Sequence, residues 1–237
     1  MFLFLPLAEF WRTLLASTVG LLTLAGIMTR PFRWSEARIA MAGAGALLLL
    51  GLIRPGDAAR TLLRDWNTFL FFLGMMGLSA LAETAGLFDW LAAQAARFAR
   101  QSAARLFLNV FLLGTLITMI FSNDATALIL TPVVYVLVTR LRLPVLPYLF
   151  ACTFIADSAS SLLPISNPIN VIIMSRFPLD LRTFLRLLLL PSLVVIAINF
   201  GIFYLLYRKQ LRGSFEISHL PTAEWMYWMF ITWAASE

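Results

Sequence analysis

Three carboxylates interrupt long apolar stretches of this chain: Glu83, Asp124 and Asp157. Placed in a bilayer, each costs a few kcal/mol or more, so each needs a functional reason to be there. Asp124 sits in Ser122-Asn123-Asp124-Ala125-Thr126. Asp157 opens a run of hydroxyls that leads to Ser166-Asn167-Pro168-Ile169-Asn170. Hydroxyls and amides in this density can hydrogen-bond a small anion or oxyacid. The candidate binding groups are Ser122, Asn123, Thr126, Ser158, Ser160, Ser166, Asn167 and Asn170. Asp124, Asp157 and Glu83 are the candidates for taking up a proton or helping to hold a sodium ion. Two bland alternatives stand beside this. The polar groups could only cap buried helix ends, and Glu83, five residues before Phe88, could reach the interface.

The composition says what must position these residues. Of 237 residues, 61% are hydrophobic and 13% charged, against about 25% charged in a soluble domain, and the mean hydropathy is +0.87. The formal net charge is +6, but the basic residues lie in short clusters between apolar runs, as loop charges do at a membrane surface. A nucleic-acid partner is not expected. With one cysteine, Cys152, and one histidine, His219, the chain has neither a disulfide framework nor a Cys/His metal cluster, and no cofactor is expected.

The expected class is an all-α, multi-pass membrane protein. Met1–Phe10 reads as an interfacial lead-in. Spans are predicted at about Trp11–Met28, Ala37–Ile53, Trp66–Phe88 and Thr183–Tyr207, each near the roughly 20 residues a crossing needs. Small residues in the second (Ala42, Gly43, Ala44, Gly45) and third (Gly74, Gly77, Ser79, Ala80) allow close helix approach. Arg54–Asp57 reads as a turn, and Asp89–Arg105 as an amphipathic helix in the interface. Leu106–Phe121 and Ala125–Val138 are short for upright crossings and are parted by Ser122-Asn123-Asp124, which predicts a re-entrant hairpin. Pro144–Met174 is too long for one helix. Ser-Asn-Pro reads as an N-cap followed by proline at the first helical position, so a broken helix is predicted, Tyr148–Ser160 then Pro168–Ser175. Half-helix starts near Ala125 and Pro168 offer unpaired N–H groups, and discontinuous helices meeting near the midplane are a usual transporter site. The broken helix counts as the fifth crossing. The membrane domain is placed at 1–212, with 213–237 as a tail whose Trp225–Trp233 is too short to cross.

Phe121–Pro132 (FSNDATALILTP) resembles the hairpin motif of the arsenical pump membrane protein family, which exports arsenite and antimonite. Phe154–Asn170 (FIADSASSLLPISNPIN) resembles its broken helix, and Asp65-Trp-Asn with Ala82-Glu-Thr-Ala-Gly-Leu-Phe88 its preceding span. The similarity covers about residues 13–212. It implies a secondary transporter of the ion transporter superfamily in the inner (plasma) membrane, not an enzyme, driven by a proton gradient or a partner ATPase. Citrate, dicarboxylate and sodium/proton carriers share the same plan and are the runner-up. A non-functional fragment is the second alternative. The family has two such halves in inverted orientation, and this chain reads as the N-terminal one. The expected partners are therefore a small anion or oxyacid, a proton or sodium ion, lipid, and a separate C-terminal half or a second copy.

Overall fold

A computed structural model describes residues 5–216 except 65 and 178. The tail segment Trp225–Trp233, His219 and Asp65 lie outside the described residues. Ten α-helices are described and no strand, apart from one isolated bridge between Ser102 and Ser214. The helices fall into two compact units that divide after Trp66.

The first unit holds α1 (Leu5–Thr29), α2 (Glu36–Leu49) and α3 (Pro55–Arg64). The described part of the expected lead-in is helical from Leu5 and runs unbroken into the first span, because nothing between Leu5 and Trp11 ends a helix. α1 and α2 pack closely. A Cβ at Gly43 would collide with Thr23, and one at Gly26 would stand 3.0 Å from Ile39 Cγ2. Gly43 of the second span therefore acts as a close-approach position, whereas a Cβ at Gly45, or at Gly74 and Gly77 of the third span, would meet nothing within 4 Å. An Arg30–Glu36 ion pair closes the turn between the two helices. α2 stops at Leu49, not Ile53, because Gly51 adopts φ +65°. The segment read as a turn at Arg54–Asp57 is instead the start of α3, with Pro55 as the first helical residue.

The second unit carries α4 (Trp66–Thr84), α5 (Leu87–Phe98), α6 (Ala103–Ile120), α7 (Thr131–Arg140), α8 (Val145–Ser158), α9 (Pro168–Arg176) and α10 (Leu181–Tyr207). The span expected to run through Phe88 ends at Thr84. Gly86 takes φ +69°, a conformation that costs other residues about 1–2 kcal/mol, and the chain bends by 62° into α5. Continuous hydropathy across Ala85-Gly86-Leu87 hid that break. α5 is amphipathic as expected, but protein covers its apolar face: Phe88, Ala92, Ala96 and Ala99 belong to the core.

α6 and α8 form the centre of that core. Phe107, Phe111 and Ile155 are buried there, and Tyr148 Oη donates to the Ala103 carbonyl at 2.9 Å. Aromatic rings seal α10 against both, with Phe111 and Phe200 at 5.3 Å and Phe154 and Phe203 at 4.7 Å between ring centroids. α6 begins at Ala103, earlier than expected, because Ser102 caps it by accepting the Arg105 N–H. At 18 residues the first hairpin arm is long enough to cross a membrane. The other described helices of that length and hydropathy are α1 and α10, and the bent pair α4–α5 makes a fourth span if taken together. After α10, a short turn (Gln210–Arg212) leads the chain back to the start of α6. There the Gly213 carbonyl accepts the Ala103 N–H at 3.1 Å, and the Phe215 N–H donates to Gln101.

Candidate functional site

The hairpin tip is built by one serine. Ser122 Oγ accepts the Ala125 N–H at 3.2 Å, and its carbonyl accepts the Thr126 N–H at 3.4 Å. A side-chain oxygen just before the first helical residue satisfies donors that would otherwise be orphaned. The second arm therefore starts at Asn123 and puts Asp124 in the first turn, where the helix end favours negative charge. Asn123 is half-buried, and its Oδ1 is an enclosed acceptor with no hydrogen-bond partner. Asp124 is also half-buried.

Thr126 sits in the seam between the arms and does not open to the tip. It is fully buried, its hydroxyl pairs with Thr118 Oγ1 at 2.8 Å, and the Gly114 carbonyl lies at 3.4 Å. The carbonyl of Thr126 accepts both the hydroxyl and the N–H of Thr131. That last bond spans five residues, and Ala125–Leu130 is wound as a π-helix. Pro132 follows directly and has no N–H to give, and local π winding is one way a helix near a proline re-satisfies its carbonyls.

The broken helix lies as predicted, within a few residues at each end. α8 ends at Ser158, and Asn167 caps α9 by accepting the Ile169 N–H on Oδ1 at 3.0 Å, with Pro168 as the first helical residue. That leaves the Asn167 Nδ2 group as a donor. The unwound link is held by Asn170, whose Nδ2 donates to the carbonyls of Ser160 at 2.7 Å and Leu163 at 3.1 Å. Ser160 Oγ donates to the Asp157 carbonyl. Ser166, fully buried, donates to the Met119 carbonyl at 3.3 Å. That bond fastens the link to the last turn of α6, beside the hairpin tip, so the two half-helix starts share one end of α6.

The remaining candidates lie apart. Ser158 turns to α10, where Asn199 Nδ2 donates to its hydroxyl. Asp157 is exposed, and only its main-chain carbonyl joins the link. Glu83 is exposed near the end of α4 and is bonded through its carbonyl to Gly86. Two contributors went unread in the sequence. Asn199 could have been found as the one amide in an apolar run, since such groups in spans hydrogen-bond across helices. Thr118 carried no such signal. The tip thus offers an unpartnered, enclosed acceptor on Asn123, the Asp124 carboxylate and a donor on Asn167. The N–H groups of Ala125, Thr126, Ile169 and Asn170 at the two helix starts are already bonded within the chain. Among the described residues no group of His, Cys, Asp and Glu could hold a metal ion.

Comparison with known proteins extends this reading. A family model described as "Citrate transporter" matches residues 21–236. An arsenical pump membrane protein of Yersinia enterocolitica is 30% identical over 87% of this chain and 49% of its own length. Its counterpart in Escherichia coli K12 is 29% identical over 88% and 49%. A Dictyostelium discoideum transporter is 26% identical over 79% and 33%. The chain spans about half the length of the curated bacterial relatives it matches. No solved structure matches it.

Proposed function

The chain belongs to the citrate transporter family, a family of multi-pass transporters of the plasma membrane, and from that premise we propose that it forms the first repeat of a secondary transporter for a small oxyacid or oxyanion, such as arsenite. The observation that carries the reading is the buried, unpartnered Oδ1 of Asn123 at the hairpin tip. Leaving such an acceptor without a donor costs about 1–3 kcal/mol, and a cargo bearing O–H groups would supply one. Asn167 Nδ2, left free of the cap that its Oδ1 makes, is the donor to such a cargo. Asp124, in the first turn, is the group to exchange a proton or hold a sodium ion when cargo leaves. Recognition is by hydrogen bonds, since Cys152 is buried in the core and makes no thiolate cage.

The arsenical pump relatives favour arsenite or antimonite as cargo. The family description favours a carboxylate as the second reading. The deciding experiment is flux into proteoliposomes holding this chain together with a C-terminal half, offered arsenite, antimonite or citrate. Arsenite flux that disappears in Asn123→Ala and Asn167→Ala, with insertion intact, supports the proposal. Citrate flux alone selects the second reading, and wild-type flux in both variants removes the site assignment.

A further inference from the structure

α3 has a surface that the transport reading does not use. Its ten residues span about 15 Å, half of what a crossing needs, and none of them is buried. At about 100° per residue, Ala58, Ala59, Leu62 and Leu63 fall on one arc of the helix, and Asp57, Arg60, Thr61 and Arg64 on the other. Leu62 is 61% and Leu63 72% exposed, so no described residue covers the apolar face. Arg54, just before the helix, is exposed as well. None of the three arginines forms an ion pair with a described acid, and Asp57 is the one acid on the polar face. Trp66 follows at the far end, 54% exposed, a residue type favoured at the depth of lipid headgroups.

We infer that α3 lies flat on the membrane and docks on anionic phospholipid headgroups through Arg54, Arg60 and Arg64, with Leu62 and Leu63 in the acyl boundary. A helix with leucines on one face and arginines on the other is stable in that plane, and each arginine near an anionic surface strengthens binding about fivefold. The positive excess of this segment is what selects anionic over zwitterionic lipid.

The test is hydroxyl-radical footprinting of the full chain in vesicles of phosphatidylcholine alone or mixed with phosphatidylglycerol. Oxidation of Leu62 and Leu63 is expected to slow several-fold when phosphatidylglycerol is present. High salt or the triple variant Arg54→Gln, Arg60→Gln, Arg64→Gln should abolish that protection, while lysine at the three positions should retain it. The lysine variant separates loss of charge from loss of fold. Equal, salt-independent protection in both vesicles would overturn the inference, because a protein segment or neutral lipid would then cover the face. Absence of protection in either vesicle would overturn it as well.

Discussion

At the scale of single residues, the caps do most to fix the site. Ser122 and Asn167 each close one helix start, and Asp180 does the same for α10 by accepting the Thr183 N–H at 3.2 Å. Bonds from the Thr183 side chain and backbone hold the exposed Asp180 carboxyl below the usual carboxylate range. A group whose folded pKa is lowered stabilises fully above its unfolded value and loses that contribution as pH falls through the folded one. The expected outcome for Asp180→Ala is therefore a lower thermal midpoint at neutral pH, by an amount that stays constant down to about pH 4 and shrinks below it. Melting curves of the two proteins across that range check this. Of these caps Asn167 was legible in the sequence, since Ser-Asn-Pro carries its own local geometry; Ser122 read only as part of a polar tip, and Asp180 gave no comparable signal. The partners of Ser158 and Thr126 were not legible either, because Asn199 and Thr118 reach them only through the packing of separate helices.

At the scale of elements, α6 and α8 meet at Gly114. A Cβ there would stand 2.6 Å from Ile155 Cγ2, an atom next to a branched, fully buried carbon that has little room to give. Replacing a helical glycine by alanine otherwise gains about 0.5–1 kcal/mol. Here Gly114→Ala should destabilise by about 1–3 kcal/mol, the usual cost of overpacking. Adding Ile155→Ala should cost less than the sum of the two single changes, a coupling that a double-mutant cycle in detergent would measure. The hairpin and the broken helix were readable because a polar triplet and a Ser-Asn-Pro sequence punctuate them. The bend at Gly86 and the separate helix α3 were not. Unbroken hydropathy hides the first, and Arg-Pro-Gly-Asp at the second suits a turn as well as a helix start; a positive φ and a helix-starting proline decide the outcome.

At the scale of the whole molecule, the curated bacterial relatives are about twice this chain's length, and the proposed transporter would pair one such repeat with another around a shared site. The polar tip built here, with its half-buried Asp124 carboxylate, would need a covering surface in lipid, where unsatisfied groups cost several kcal/mol. Purified alone in mild detergent, the chain is expected to self-associate or to be inactive in flux, and a supplied C-terminal half should restore transport. A stable, transporting monomer by mass and uptake would contradict that expectation. The closure of the second unit has a consequence for biosynthesis. Ala103, at the start of α6, finds its carbonyl partner only in Gly213, and the buried Leu211 and Phe215 arrive with it. A nascent chain therefore holds its hairpin without that clasp until nearly the last described residue has left the ribosome. A chain stopped at Tyr207 should insert all its helices and still be cut by protease at the loop before Ala103, whereas one stopped at Glu216 should resist.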